Sequence, residues 1–260
     1  MYENITVVAI HGNGGGESLI PALNKSADAL PGSKRLLITD TKLYTEIPHK
    51  YVYRPFGYQE YSHFVVYCLH QYIDTDYCLI VQDDGWVLNA DNWKDSWLKY
   101  DYIGGATHAA LEGDQFAIWY HWEHLFKNPL VVQNGGFSLR SRRFLRAPSL
   151  YGITMRILDD PMMNNEDIQL CCFMRPALES VGVKFAPLEE SVLFSFEHLS
   201  PNLHKDVDLK KVFGHHSRFR KLTGDNQMKW LMPDDLFKQI PREDEVLDLF
   251  KHYNYEIERA

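Results

Sequence analysis

The feature that most constrains the fold is the order of elements in the first third of the chain. Three short apolar runs, at residues 5–10, 35–39 and 77–81, each end abruptly in polar residues. Apolar residues at helical spacing occupy residues 18–30 and 61–73, between those runs. Strands that alternate with helices form right-handed crossovers and a largely parallel sheet. We therefore expect an α/β fold whose mostly parallel central sheet is flanked by helices.

The remainder of the chain is less regular. Residues 130–132 and 191–196 are expected to form short strands, and residues 165–179 are expected to form a helix. No repeat, low-complexity tract or Ser/Pro/Gly linker interrupts the chain. We therefore predict one domain over residues 1–232, followed by a C-terminal helical tail over residues 233–260.

Charge and hydropathy exclude several classes of protein. The 260 residues include 35 acidic and 27 basic ones, which gives a formal net charge of −8. This balance argues against a nucleic-acid partner, because such proteins need a basic surface to neutralise phosphates. No run approaches the roughly 20 apolar residues that a bilayer span requires, and no signal peptide is recognisable at the N-terminus. We expect a cytoplasmic location, with peripheral attachment to the inner membrane face as the alternative.

Polar residues follow each of the three predicted strands, at the sheet edge where ligands bind in open α/β folds. They are His11, Gly12 and Asn13 after the first strand, Asp40 after the second, and Gln82, Asp83 and Asp84 after the third. Two adjacent carboxylates at a strand end suit a hard cation such as Mg²⁺ or Mn²⁺. A solvated turn is the alternative, because Asp and Gly favour turns.

Two motifs in the second half of the chain could act on a substrate. In Asn134-Gly135-Gly136, paired glycines let the backbone approach a ligand closely, and a tight turn is the alternative. Glu166 and Asp167 lie near a predicted helix start, where either could be a general base for an alcohol. Stabilisation of the helix dipole explains those two acids equally well.

A basic segment and an aromatic cluster complete the candidates. The basic segment contains His215, His216, Arg218, Arg220 and Lys221. Imidazoles and cations together could bind a metal and a diphosphate, and a solvated basic face is the alternative. Trp119 could stack on a sugar ring or lie in the core.

Taken together, these segments resemble a family of glycosyltransferase-like domains with the GT-A fold, found in polysaccharide and capsule synthesis. The matching segments follow the family's order, at residues 77–85, 93–105, 133–142, 165–168, 183–187, 194–197 and 213–216. The resemblance implies a Rossmann-like GT-A sheet with a small antiparallel portion on the acceptor side. It also implies a nucleotide-diphosphate sugar as donor and a glycan or glycolipid as acceptor.

The resemblance assigns a role to each candidate. Asp84, with His215 or His216, would bind Mn²⁺ or Mg²⁺, and Asp167, in preference to Glu166, would be the base. The donor contacts would be His11, Gly12, Asn13, Asp40, Gln82, Asp83, Arg218, Arg220 and Lys221. The acceptor and sugar contacts would be Trp119, Asn134, Gly135 and Gly136.

The leading hypothesis is therefore a metal-dependent glycosyltransferase that transfers a sugar to a hydroxyl group, with inversion preferred and retention left open. A sugar nucleotidyltransferase is the alternative enzyme, although Glu17 follows the glycine-rich loop where such enzymes have a basic residue. If the protein is not an enzyme, the alternative is a non-catalytic carbohydrate-binding module. The sugar, the nucleotide, the acceptor and the oligomeric state are left open by the sequence.

Overall fold

The computed structural model describes residues 2–52, 57–109, 111–112, 115–116, 130–159, 161–200 and 203–259. The strands are β1 (Ile5–His11), β2 (Lys34–Thr39), β3 (His49–Tyr51), β4 (Tyr77–Val81), β5 (Gly85–Val87), β6 (Tyr102–Ala109), β7 (Leu111–Glu112), β8 (Gln115–Phe116), β9 (Leu130–Ser141), β10 (Ser195–Phe196), β11 (Gly214–His216), β12 (Arg220–Leu222), β13 (Gln227–Trp230) and β14 (Glu256–Arg259). The helices are α1 (Ile20–Asp28), α2 (Tyr58–Tyr67), α3 (Arg142–Tyr151), α4 (Glu166–Ile168), α5 (Arg175–Ser180), α6 (Leu188–Phe194), α7 (Asp234–Gln239) and α8 (Glu243–His252).

The central sheet has the strand order β3-β2-β1-β4-β9-β6. Strands β3, β2, β1 and β4 pair in parallel, whereas β9 runs antiparallel to both β4 and β6. Within the described residues, β9 is thus the one strand of this sheet that runs against the others. The prediction of an α/β, Rossmann-like fold with a mostly parallel sheet flanked by helices is confirmed.

The central strand β1 is buried on both faces, as expected for a parallel strand covered by helices. Val8 and Ile10 point into a core shared with α2 and α3, while Val7 and Ala9 point into a second core shared with α1. This alternation explains why five of the six residues at positions 5–10 are apolar. It also holds the polar loop after β1 at a defined place on the sheet edge.

The C-terminal residues form a third core. The predicted tail contains the helices α7 and α8, and also β14, which pairs in parallel with β13. Phe250 of α8 packs against both Trp86 and Trp230. The tail therefore packs against Trp86, which follows the central strand β4. No helix in the described parts of the chain is long and apolar enough to cross a bilayer.

Two predicted elements differ from the structure. The strand expected at residues 130–132 extends through Ser141, because pairing with both β4 and β6 overrides the turn preference of the two glycines. The strand expected at residues 191–196 is largely the helix α6, with only its last two residues in β10. Glu189 and Glu190 lie in the first turn of α6, where the helix dipole stabilises acidic residues.

The fold predicts a large effect of truncating a side chain between the sheet and α1. Leu79 of β4 is fully buried in that core, so Leu79→Ala should lower the free energy of unfolding by about 2–5 kcal/mol. Leu150 of α3 is 62% exposed, and Leu150→Ala should change it by no more than about 0.5 kcal/mol. Urea unfolding followed by tryptophan fluorescence measures both. Similar losses in the two variants would contradict the burial pattern.

Candidate functional site

A cleft of about 290 Å³ lies at the carboxyl ends of β1 and β4. Six of the residues predicted from the strand ends line it: His11, Gly12, Asn13, Gln82, Asp83 and Asp84. Tyr58 and Tyr61 of α2 line the same cleft and were not predicted. The Oη atom of Tyr61 accepts a hydrogen bond from Nε2 of Gln82 at 2.9 Å, which links α2 to the turn after β4.

Asp40 shapes the neighbouring loop. Its two carboxylate oxygens accept hydrogen bonds from the backbone N–H groups of Asn13, at 2.7 Å, and Gly14, at 3.0 Å. The side chain does not line the cleft. Asp40 was predicted to contact the nucleotide-sugar donor. In the structure its side chain instead holds the loop that provides His11 and Asn13.

Asp84 meets His216 beside the cleft. The register of β11 against β5 places His216 opposite Gly85, and the backbone N–H of Ser217 donates to the carbonyl of Asp84 at 2.7 Å. Nε2 of His216 then lies 3.3 Å from Oδ1 of Asp84 and 3.0 Å from Oε1 of Gln82. A residue far downstream in the sequence is thereby brought to the predicted strand-end acids.

The two charges shift each other's proton affinity. Burial alone would lower the pKa of His216, but the adjacent Asp84 carboxylate raises it to about 9. Burial alone would raise the pKa of Asp84, but the imidazolium of His216 and the ammonium of Lys221 hold it below its usual value. The pair is therefore charged around neutral pH.

His215 does not reach this site. Successive side chains on β11 point to opposite faces, and the ring of His215 is fully buried, 4.1 Å from the ring of Trp86 and 5.0 Å from that of Phe250. Burial lowers the pKa of His215, so the ring is neutral. Of the two histidines predicted as alternative metal ligands, His216 thus lies beside Asp84, whereas His215 points into the core away from it.

The three predicted cations have separate environments. The guanidinium of Arg220 is fully buried and donates to both carboxylate oxygens of Glu243, at 2.9 and 2.8 Å. This burial contradicts the predicted contact of Arg220 with the nucleotide-sugar donor. Lys221 forms an ion pair with Asp83 at 3.1 Å and so remains beside the cleft. Arg218 is exposed, and its guanidinium lies 4.8 Å from the ring centre of Phe219.

Gly135 and Gly136 lie within β9, and other segments pack directly on their backbone. A β-carbon at position 136 would lie 2.3 Å from Nε2 of His216 and 2.7 Å from Oε1 of Gln82. A β-carbon at position 135 would lie 2.0 Å from Oε1 of Glu166. A side chain at either position would displace these groups, so the observed arrangement requires glycine at both positions.

The amide of Asn134 connects β9 to an acid that was not assigned a role. Its Oδ1 accepts a hydrogen bond from the N–H of Gly136 at 2.8 Å, and its Nδ2 donates to Oε2 of Glu197 at 3.0 Å. Asn134 and Glu197 therefore border the same site as His216. Trp119, the remaining predicted sugar contact, lies outside the described residues.

The two adjacent acids at the start of α4 differ in environment. Oε1 of Glu166 is 2.9 Å from the guanidinium of Arg140, and both side chains are buried. Asp167 has no ion-pair partner among the described residues; it accepts hydrogen bonds from the N–H of Gly135 at 3.3 Å and that of Ile168 at 2.8 Å. Burial and the negative charges of Glu166 and Glu197 raise the pKa of Asp167 to about 7.

The residues that sequence reasoning missed are Tyr58, Tyr61, Arg140 and Glu197. Arg140 lies within residues 133–142 and Glu197 ends residues 194–197, two of the segments that carry the resemblance, so their position there was a usable signal. The two tyrosines lie three residues apart on one helix, and nothing in the local pattern separates them from core aromatics.

The described residues contain no group of three or more His, Cys, Asp or Glu side chains arranged to hold a metal ion. What they contain is the pair of Asp84 and His216, with the amide oxygen of Gln82 also beside Nε2 of His216. Oδ1 of Asp84 is buried, and the imidazole of His216 is its ion-pair partner.

The ion pair predicts a pH-dependent stability in metal-free protein. The raised pKa of His216 contributes stability that is complete below pH 6.5 and lost as the pH rises through about 9. The contribution is on the order of 3 kcal/mol. His216→Gln should remove most of this dependence, whereas His252→Gln, an exposed position on α8, should retain it. Urea unfolding in EDTA at pH 6 and pH 9.5 measures the difference, and a wild type equally stable at both values would refute the pairing.

Comparison with known proteins identifies a family. No curated protein matches the chain. Among solved structures, the chain is similar to the bifunctional IspDF from Campylobacter jejuni, with 12% identity, a TM-score of 0.37, and coverage of 80% of this chain and 54% of that one. The chain thus spans about half the length of that protein. A family profile described as "protein of unknown function (DUF5672)" matches residues 44–216, from the loop after β2 to His216. The chain belongs to the DUF5672 family.

Proposed function

We propose that this protein is a metal-dependent glycosyltransferase that moves a sugar from a nucleotide-diphosphate sugar to a hydroxyl acceptor. The observation that supports it is the meeting of four distant segments beside one cleft. His216 contacts Gln82 and Asp84, and residues 134–136 lie against Gln82 and His216 on one side and against residues 166–167 on the other. They contribute a carboxylate–imidazole pair, a partly buried base candidate and a cleft, which this reaction needs together.

The donor would occupy the cleft between the loop after β1 and the turn after β4. Ligands of open α/β sheets bind at this edge. The imidazole of His11 and the amide of Asn13 offer hydrogen bonds there, and Lys221 beside Asp83 offers a positive charge for phosphate. The rim is also aromatic, since Tyr58 is 62% exposed.

The ligand atoms available beside the cleft suit a divalent cation. Nε2 of His216 lies 3.3 Å from Oδ1 of Asp84 and 3.0 Å from Oε1 of Gln82, so one nitrogen and two oxygen ligands lie close together. To bind a cation there, His216 would release its Nε2 proton, because an imidazole binds a metal in its neutral form. Mg²⁺ and Mn²⁺ commonly use one or two carboxylates and complete their shell with substrate phosphates. When bound, such a cation supplies charge neutralisation for the departing nucleoside diphosphate.

Asp167 is the proposed base. Its proton affinity near neutrality lets it accept the proton of the acceptor hydroxyl as that oxygen attacks the anomeric carbon of the donor. The bond from that carbon to the diphosphate oxygen breaks, and the electron pair leaves with the nucleoside diphosphate. Attack from the face opposite the leaving group inverts the anomeric centre. Asn134 and Glu197 are placed to hydrogen-bond the acceptor or the transferred sugar.

Donor and metal binding can be measured before the sugar is known. A thermal-shift series with Mn²⁺ and each common nucleoside diphosphate should raise the Tm by roughly 5 °C for at least one nucleotide. EDTA should abolish the shift because it removes the cation. Asp84→Asn should abolish it because the cation then has too few ligands. Asp248→Asn, in an exposed ion pair of α8, should leave it unchanged. An undiminished shift in Asp84→Asn would disprove the metal site.

The base is tested by turnover of the donor that the thermal-shift series identifies. Asp167→Asn should lower the release of nucleoside diphosphate by about 10²–10⁴-fold and leave the thermal shift intact. Asp76→Asn, at an exposed position before β4, is the matched control. Full activity in Asp167→Asn would exclude this base. Pyrophosphate as product would indicate a nucleotidyltransferase, and glycan binding without nucleotide binding would indicate a non-catalytic module.

A further inference from the structure

A buried ion pair lies directly behind the proposed base. The guanidinium of Arg140 is fully buried, and its terminal nitrogen lies 2.9 Å from Oε1 of Glu166. Its Nε donates to Oγ of Ser138 at 3.0 Å, and its carbon centre lies 5.1 Å from the ring centre of Tyr102. An ion pair this deep is costly to break, because removing one partner leaves a buried charge uncompensated.

The ion pair and Asp167 share one residue of β9. The carbonyl of Gly135 accepts a hydrogen bond from Arg140 at 3.3 Å, while the N–H of Gly135 donates to Oδ2 of Asp167 at 3.3 Å. The close approach of Glu166 to Gly135 completes this contact set. Arg140 therefore contacts both the carboxylate next to Asp167 in sequence and the backbone that holds Asp167.

We propose that Arg140 is a positioning residue that determines which of the two adjacent carboxylates takes up the proton. The positive charge of Arg140 compensates the negative charge of Glu166 and keeps that carboxylate ionised. Asp167 is then the carboxylate that accepts a proton near neutral pH. Without Arg140, the more deeply buried Glu166 would have no partner charge and would take up the proton itself. This inference deepens the proposed function and rests on it for the role of Asp167 as base.

Other charged and titratable groups surround Asp167, and none of them distinguishes it from Glu166 as Arg140 does. They are Glu197 after β10, His216 of β11, Tyr58 of α2, Tyr102 of β6, and Cys171 and Cys172 in the π-helical segment after α4. Glu197 is negatively charged and acts on Asp167, and His216 is positively charged. The tyrosines and cysteines are neutral because burial raises the pKa of each.

The test follows the two carboxyl carbons by NMR. Protein labelled with ¹³C at the side-chain carboxyls of Asp and Glu is titrated in EDTA, and Asp167→Asn and Glu166→Gln assign the two signals. In the wild type, the near-neutral midpoint should belong to Asp167. In Arg140→Met it should pass to Glu166, and the midpoint of Asp167 should fall by about one pH unit or more. Arg140→Lys, which retains the charge, should keep the wild-type order.

Two results would overturn the proposal: a near-neutral midpoint on Glu166 in the wild type, or one that stays on Asp167 in folded Arg140→Met. If Arg140→Met does not fold, Arg140→Gln retains a hydrogen-bond donor to Glu166 without its charge and is interpreted in the same way. The titration needs no substrate, so failure of the proposed function is separate. If only the proposed function is wrong, the near-neutral midpoint will still pass from Asp167 to Glu166 in Arg140→Met, but the protein will neither bind nor turn over any nucleotide sugar.

Discussion

The site depends on the bare backbone of β9 at Gly135 and Gly136. Because neither residue has a β-carbon, Glu166 packs onto the strand from α4, Gln82 from the turn after β4, and His216 from β11. The same strand is paired on both sides, with β4 and β6. Groups held by a sheet interior keep their geometry better than groups on a loop. A single strand thus serves as the common surface for side chains that are distant in sequence.

Charge is balanced in pairs around that surface. Glu166 is paired with Arg140, Asp84 with His216 and Asp83 with Lys221, whereas Asp167 has no cationic partner among the described residues. An unpaired, partly buried carboxylate beside other acids retains its proton to a higher pH, which suits a base near neutrality. A further pair, Arg220 with Glu243, joins β12 to α8. Since Lys221 follows Arg220, the C-terminal core also positions the cation beside Asp83.

Much of this arrangement was predictable from sequence, for a physical reason. The runs that became β1, β2 and β4 are mostly apolar because most residues of these strands are buried, and parallel strands end at one edge. That argument placed His11 and Asp84 at one edge before any family was considered. The resemblance then assigned the role of base to Asp167, in preference to Glu166, and a metal-binding role to His215 or His216.

Other features depended on contacts that no local pattern encodes. The choice between His215 and His216 depends on which face of β11 meets the sheet, and the burial of Arg220 depends on Glu243 in a helix that follows in the tail. Gly135 and Gly136 have turn propensity, yet pairing on both edges keeps them in a strand. Tyr58 and Tyr61 contribute to the cleft only because α2 packs beside the turn after β4.

The most direct test of the central claim is anomalous diffraction from crystals soaked with Mn²⁺ and the nucleoside diphosphate that stabilises the protein. The account predicts a manganese peak within about 2.1 Å of both Asp84 and His216, with diphosphate oxygens in its shell. No peak at these residues, or a nucleotide bound away from the cleft after β1 and β4, would contradict it.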